Sequence, residues 1–225
     1  MDDIKDQIVG LLSTKAILKQ DVFKNTKEWF AIFKKELTEC IDMMQASVKD
    51  SRVRLKIVDK GASEVHLYVG SDVLVFHMHS NVFKFDSSNY VYQSSYLKTK
   101  PKNAYCGVIN IYNFLADSFE RNRPHDYGYL IARTFINAEN HFVVEGKGQL
   151  SFLYRDFLNQ VLNKDIILDV IMRVIVHAIN FDLLAPPYEK VNVVSVQEMQ
   201  ALSTDSKLKT GKRLGFKFQS DNKIT

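Results

Sequence analysis

A stretch that is apolar on nearly every side constrains this chain more than any other feature. From Asp165 onward, Ile166, Ile167, Leu168, Val170, Ile171, Val174, Ile175, Val176, Ala178, Ile179 and Phe181 leave only Asp165, Asp169, Arg173 and His177 as ionisable groups before Asp182. Those groups recur at every fourth position, so on a helix they form one slowly drifting line. Such a helix has to be covered almost all round, by its own chain or by a second copy. Homo-oligomerisation, or binding of another protein, is the resulting expectation, with Ile167, Ile171, Val174 and Ile175 at the interface. The stretch falls short of the roughly 20 predominantly apolar residues that cross a bilayer, and ionisable groups interrupt it, so no membrane span is expected.

Composition narrows the class further. The chain has 225 residues, 46% of them apolar and 25% charged, which is an ordinary globular balance with enough length for a sizeable core. Its 30 basic and 26 acidic residues leave a formal charge of +4, too even a mixture to require nucleic acid or anionic lipid as a partner. Cys40 and Cys106 lie far apart with no CxxC spacing and read as buried, reduced thiols. The opening residues Asp2 and Asp3 stand where a secretory signal needs positive charge, so a cytoplasmic location is expected.

Periodicity orders the chain as helices, strands, then helices. Residues 3–12 and 21–49 read as helices, the second carrying Phe23, Phe30, Phe33, Leu37, Ile41 and Met44 at helical spacing behind an Asp21 N-cap. From Arg52 the period changes to two: Val53, Leu55 and Ile57, then Val65, Leu67 and Val69, then Leu74, Phe76 and Met78 define three strands of an antiparallel meander. Further strands are predicted near 81–86, 104–112, 127–136 and 141–145, with loops at 87–103 and around Arg121 to His125. Helices follow at 150–162 and 165–183, then a short strand at 191–196. This order predicts a single α+β domain over 1–202, an antiparallel sheet of about six strands with the N-terminal and C-terminal helices packed on one face. Residues 203–225 read as a basic, flexible tail.

A register argument identifies one candidate site. If Gly70 and Ser71 form a two-residue turn, Val69 and Asp72 start the ladder, Glu64 lies opposite His77, and His66 lies opposite Val75. Glu64, His66, His77 and His79 then share the polar face, with Lys56 beside His66. Two imidazoles from His-x-His and a third ligand from the next strand make a possible open zinc site, able to activate water for a metal-dependent hydrolase. Against it stand the commonness of histidines on polar sheet faces and the repulsion between Lys56 and a cation.

Other patterns are weaker. Asp126 with Glu145-Gly146-Lys147 resembles, in three residues, the arrangement of metal-dependent nucleases of the restriction-endonuclease type, which implies two carboxylates on Mg²⁺ and a water-orienting lysine. A four-residue turn at Asn137–Asn140 would set Ile136 against His141 and Glu145 against Ala132, leaving Asp126 roughly 20 Å away. Gly146-Lys147-Gly148 opens a helix where backbone N–H groups can hold phosphate, but it lacks the ending of a P-loop. Asp169 and Arg173 are spaced for an ion pair with His177 one turn on. In the tail, Lys207, Lys209, Lys212, Arg213 and Lys217, interleaved with Phe216 and Phe218, offer a nucleic-acid-binding alternative. The expectation drawn from all of this is a cytoplasmic, self-associating interaction or ligand-binding module rather than an enzyme.

Overall fold

The computed structural model describes residues 2–124, 126–182, 185, 187–190, 192–197 and 199. The first two expected helices are fused. Helix α1 (Asp2–Leu11) continues through a π-helical turn, Leu12–Ala16, into the long α2 (Ile17–Ser47). No proline or capping side chain interrupts this run, and the Thr14 hydroxyl donates 2.7 Å back to the Gly10 carbonyl at the π turn. The inner face of α2 repeats at steps of three and four: Val22, Thr26, Phe30, Phe33, Leu37, Cys40 and Ile41 are buried.

Seven strands follow: β1 (Leu55–Asp59), β2 (Glu64–Val69), β3 (Asp72–Met78), β4 (Phe83–Lys84), β5 (Tyr105–Leu115), β6 (Tyr129–Ile136) and β7 (Phe142–Gly146). They pair antiparallel in the order β1-β2-β3-β5-β6-β7, and short β4 pairs with the remaining length of β5. The β2–β3 hairpin has the expected register, with Val69 facing Asp72, His66 facing Val75 and Glu64 facing His77. Gly70 makes that turn possible with φ +58, a conformation that favours glycine.

The β6–β7 register differs by one residue from the expectation. Ile136 pairs with Phe142, and Glu145 pairs with Arg133 rather than Ala132. The cause is the Asn137 side chain, whose Oδ1 accepts from the backbone N–H of Glu139 at 2.9 Å and of His141 at 3.0 Å, with Asn140 at φ +67. His141 is thereby drawn into the turn.

Three other segments depart from their sequence reading. Residues 87–103 carry a 3-10 turn (Tyr90–Gln93), the short helix α3 (Ser95–Thr99) and a second 3-10 turn (Pro101–Ala104). Ala116–Glu120 forms α4 just before the loop at Arg121. The expected helix 150–162 is absent: after a 3-10 turn at Gly148–Ser151 the chain runs irregularly beside β7, its Tyr154 carbonyl accepting from Val144 N–H at 2.9 Å. Leu150, Tyr154 and Leu162 enter one core cluster and Phe157 another. Their near-helical spacing reflects a chain wrapping the sheet edge and filling both sides. The described part of 191–196 does not pair as a strand, and the 203–225 tail lies outside the described residues.

Helix α5 (Lys164–Ile179), N-capped by Asn163 at 2.9 Å from Ile166 N–H, packs beside α2 on one face of the sheet. Leu67, Leu74, Phe76, Ile109, Ile111, Phe142 and Val144 supply the sheet side of that core. The α+β architecture is thus the one expected, with α2 and α5 on one face of the sheet, while α1 buries no residue there. Among the described residues no helix is long and apolar enough to cross a membrane. Helix α2 meets β5 closely: a Cβ on Gly107 would fall inside the Thr26 side chain. Gly107→Ala should therefore lower stability by about 2 kcal/mol, because neither the helix nor the central strand can yield freely; urea unfolding at fixed pH measures it.

Candidate functional site

The second sheet face bears two apolar covers with a polar row between them. Phe85, Val91, Tyr96, Leu97, Ala104 and Phe157 cover Cys106, Val108, Phe135 and Val143. At the other end, Tyr68, Val73, Val75 and Ala116 pack with Val58, Tyr112 and Phe114. The row between them is set by register alone: Glu64 faces His77, His77 faces Asn110, Asn110 faces Arg133, and Arg133 faces Glu145. Alternation puts all five on one face, since each is directly opposite the last.

Both carboxylates of this row are paired. Arg133 Nε donates to Glu145 Oε2 at 2.6 Å, and Glu64 Oε1 meets His66 Nε2 at 2.7 Å. His66 is buried, its ring edge-on to Phe119 at 4.9 Å, and its Nδ1 has no hydrogen-bond partner among the described residues. The expected histidine face exists, but its members diverge. His79 lies beyond the end of β3, where its Nδ1 accepts from Asn81 N–H at 3.0 Å and its ring meets Phe83 at 4.7 Å. The His77 and His79 ring centres stand 6.4 Å apart. Among the described residues no three His, Cys, Asp or Glu side chains converge as a metal ion requires. Lys56 faces Tyr68 instead of lying beside His66, with its ammonium 4.5 Å from the Tyr68 ring centre.

The nuclease-like trio is likewise dispersed, because Glu145 is held by Arg133 while Asp126 accepts from the Ser118 hydroxyl at 2.7 Å. At Gly146-Lys147-Gly148 the Lys147 N–H is already used by the Ile131 carbonyl at 2.9 Å, and only one 3-10 turn follows. Cys40 and Cys106 are free, buried thiols, both pushed up from their ordinary pKa by burial.

The charged stripe of α5 runs along a partly exposed edge of the helix and is hydrogen-bonded there. Asp169 accepts from Arg173 at 2.7 Å and from the Tyr154 hydroxyl, and Arg173 also reaches Gln149. Burial first, then the nearby Lys147 charge, hold the His177 imidazole below its ordinary pKa. The unfolded chain takes up that proton near pH 6.5 while the folded one resists it. Stability is then complete above that pH and declines as pH falls below it. His177→Gln should flatten this decline, read as the change in urea midpoint between about pH 7.5 and 5.5.

Ile167, Ile171, Val174 and Ile175, the residues expected at an interface, are completely covered inside this chain's own core. They face α2 and the sheet, so the surface they were expected to offer a partner is already taken. Exposed apolar surface lies elsewhere. No described residue before Val22 is buried, and α1 with its π turn forms an arm on which Ile4, Ile8, Leu11 and Leu12 are 61%, 51%, 51% and 59% exposed. Their spacing places them along one side, with Asp2, Asp3 and Asp6 turned away and Lys5 at its border. At the opposite end of the long helix, Met43, Met44, Val48, Val53, Met172 and Ile179 line much of a groove of about 480 Å³. Sequence reading marked α1 as a helix but missed both surfaces; the apolar spacing at 4, 8 and 11 was the available signal.

Compared with protein-family models, curated proteins and solved structures, the chain matches none.

Proposed function

We propose that the protein is a non-enzymatic interaction module that acts by self-association, with the N-terminal helix as its working surface. The observation that carries this reading is the arm itself: a helix with one side apolar and, among the described residues, uncovered. Isolated helices of this length are marginal in water, and most helical stability in proteins comes from packing an apolar face.

Magnitudes favour the arm over the polar row. Ile4, Ile8, Leu11 and Leu12 are each about half exposed, so covering them recovers roughly half of the 1.5–3 kcal/mol for full burial, or about 4 kcal/mol per arm. Exposed ion pairs such as Arg133–Glu145 are worth about 0–1 kcal/mol, and their groups are already matched to each other. The larger unmet driving force lies on the arm.

Light scattering coupled to size exclusion, run over a range of loading concentrations, tests the proposal. A mass of at least two chains that falls on dilution is the expected result. A single-chain mass at every concentration would contradict it.

A further inference from the structure

We infer that the groove at the far end of α2 receives the N-terminal arm of a second copy, and that the exchange is reciprocal. This inference rests on the self-association reading and names the contact that performs it. The groove is built where α2 ends, β1 begins and α5 closes over them, and its wall is rich in methionine: Met43, Met44 and Met172 beside Val48, Val53 and Ile179. Unbranched, polarizable methionine side chains adapt to an incoming apolar surface.

Geometry selects the occupant. The arm and the groove belong to one unbroken helical run, Asp2–Ser47. Ile8 and Met44 are 36 positions apart in that run, about 54 Å at the rise of a helix. A chain cannot place its own arm in its own groove without breaking α2. A second copy lying antiparallel does so directly, and because the same spacing separates arm and groove in both copies, both ends dock together. The result is a closed two-fold dimer rather than an open chain of copies.

The chemistry of the two surfaces agrees. Ile4, Ile8 and Leu11 occupy the i, i+4 and i+7 positions by which an amphipathic helix seats in an apolar groove. The arm tip is acidic, with Asp2, Asp3 and Asp6 against Lys5. The segment bordering the groove carries Lys49, Arg52 and Arg54; Arg52 is paired with Asp50 at 2.6 Å and Arg54 with Glu120 at 2.7 Å, so the complementary charge rests on Lys49. Antiparallel packing brings the acidic tip towards Lys49, whereas a parallel pairing would set the two acidic tips together.

A disulfide test separates this contact from self-association in general. Ile8→Cys and Met43→Cys are introduced together in the full chain, both at exposed positions whose replacement leaves the core intact. The protein is oxidised with copper phenanthroline and mapped by mass spectrometry, with Ile8→Cys alone as control. Because residues 8 and 43 of one chain lie over 50 Å apart by helix rise, roughly, a link between them is a link between copies. The expected result is a covalent dimer joined through positions 8 and 43, formed only by the double variant. A dimer by light scattering that gives no 8–43 link would overturn the inference while leaving self-association standing. A single-chain mass with no link would overturn both.

Discussion

Replacing Ile8 and Leu11 together by aspartate should abolish the proposed self-association, giving single chains at every concentration with the fold unchanged. Both side chains lie on the apolar side of the arm, and both are half exposed in the isolated chain. The double substitution removes about 1 kcal/mol of recoverable burial at each position. It also asks two carboxylates to enter an apolar contact, which costs several kcal/mol more unless they are paired. Association should weaken by at least about 100-fold, since every 1.4 kcal/mol is a factor of ten. The folding side has a different outcome because no described residue before Val22 is buried. Sedimentation equilibrium should show the loss of association, and the urea midpoint of the dissociated chain should remain within error of the parent chain at matched dilution.

Asn137→Ala should have the largest effect on folding stability, on the order of 4 kcal/mol, because several buried polar groups lose their partner at once. The Asn137 side chain is fully buried. Its Nδ2 donates to the Tyr96 hydroxyl at 3.0 Å and to the Asn103 carbonyl at 3.2 Å. Its Oδ1 accepts from the N–H of Glu139 and of His141. Burial first, and then the Glu139 carboxylate, hold the Tyr96 hydroxyl well above its ordinary pKa, so it stays a proton donor, 2.8 Å from Glu139. The adjoining turn is tied to α2 as well, since Asn140 Oδ1 accepts from Trp29 Nε1 at 2.7 Å and from Asn25 Nδ2 at 2.9 Å. One residue therefore joins the β6–β7 turn, the 90–104 cover and, through the turn, the long helix. Chemical denaturation of the variant checks the figure; a change below about 1 kcal/mol would mean that water replaces these bonds without penalty.

Asn137 also marks the limit of what could be read in advance. The β2–β3 hairpin was legible to the residue because a two-residue glycine turn and strict alternation leave one register. The β6–β7 hairpin was misplaced by one position because its turn is shaped by a side-chain cap, which spacing does not encode. The 150–162 segment reads as helical since Leu150, Tyr154 and Phe157 are spaced by four and three, yet they fill clusters on two sides of the sheet edge. Periodicity reports which residues are covered, not whether one element or two provides the cover.

The same limit applies to the surfaces. The burial of α5 was legible from its composition, but only the folded chain could assign its cover to α2 and the sheet. The shared face of Glu64, His66 and His77 was legible from alternation; the departure of His79 was not, because β3 ends at Met78. For the arm, the sequence was read as a helix, and its apolar side went unread. Its separation from the body follows from the absence of any break between α1 and α2, which carries the helix past the end of the sheet it packs on.

Amide hydrogen exchange of residues 2–16, followed at low and at high protein concentration, tests self-association through the arm most directly. A helix without tertiary contacts opens readily, whereas one packed on a partner is protected. Protection of the arm that rises with concentration, while the amides of β3 and β5 remain protected throughout, is the result expected. Rapid exchange of the arm at every concentration, beside a protected sheet, would contradict the account.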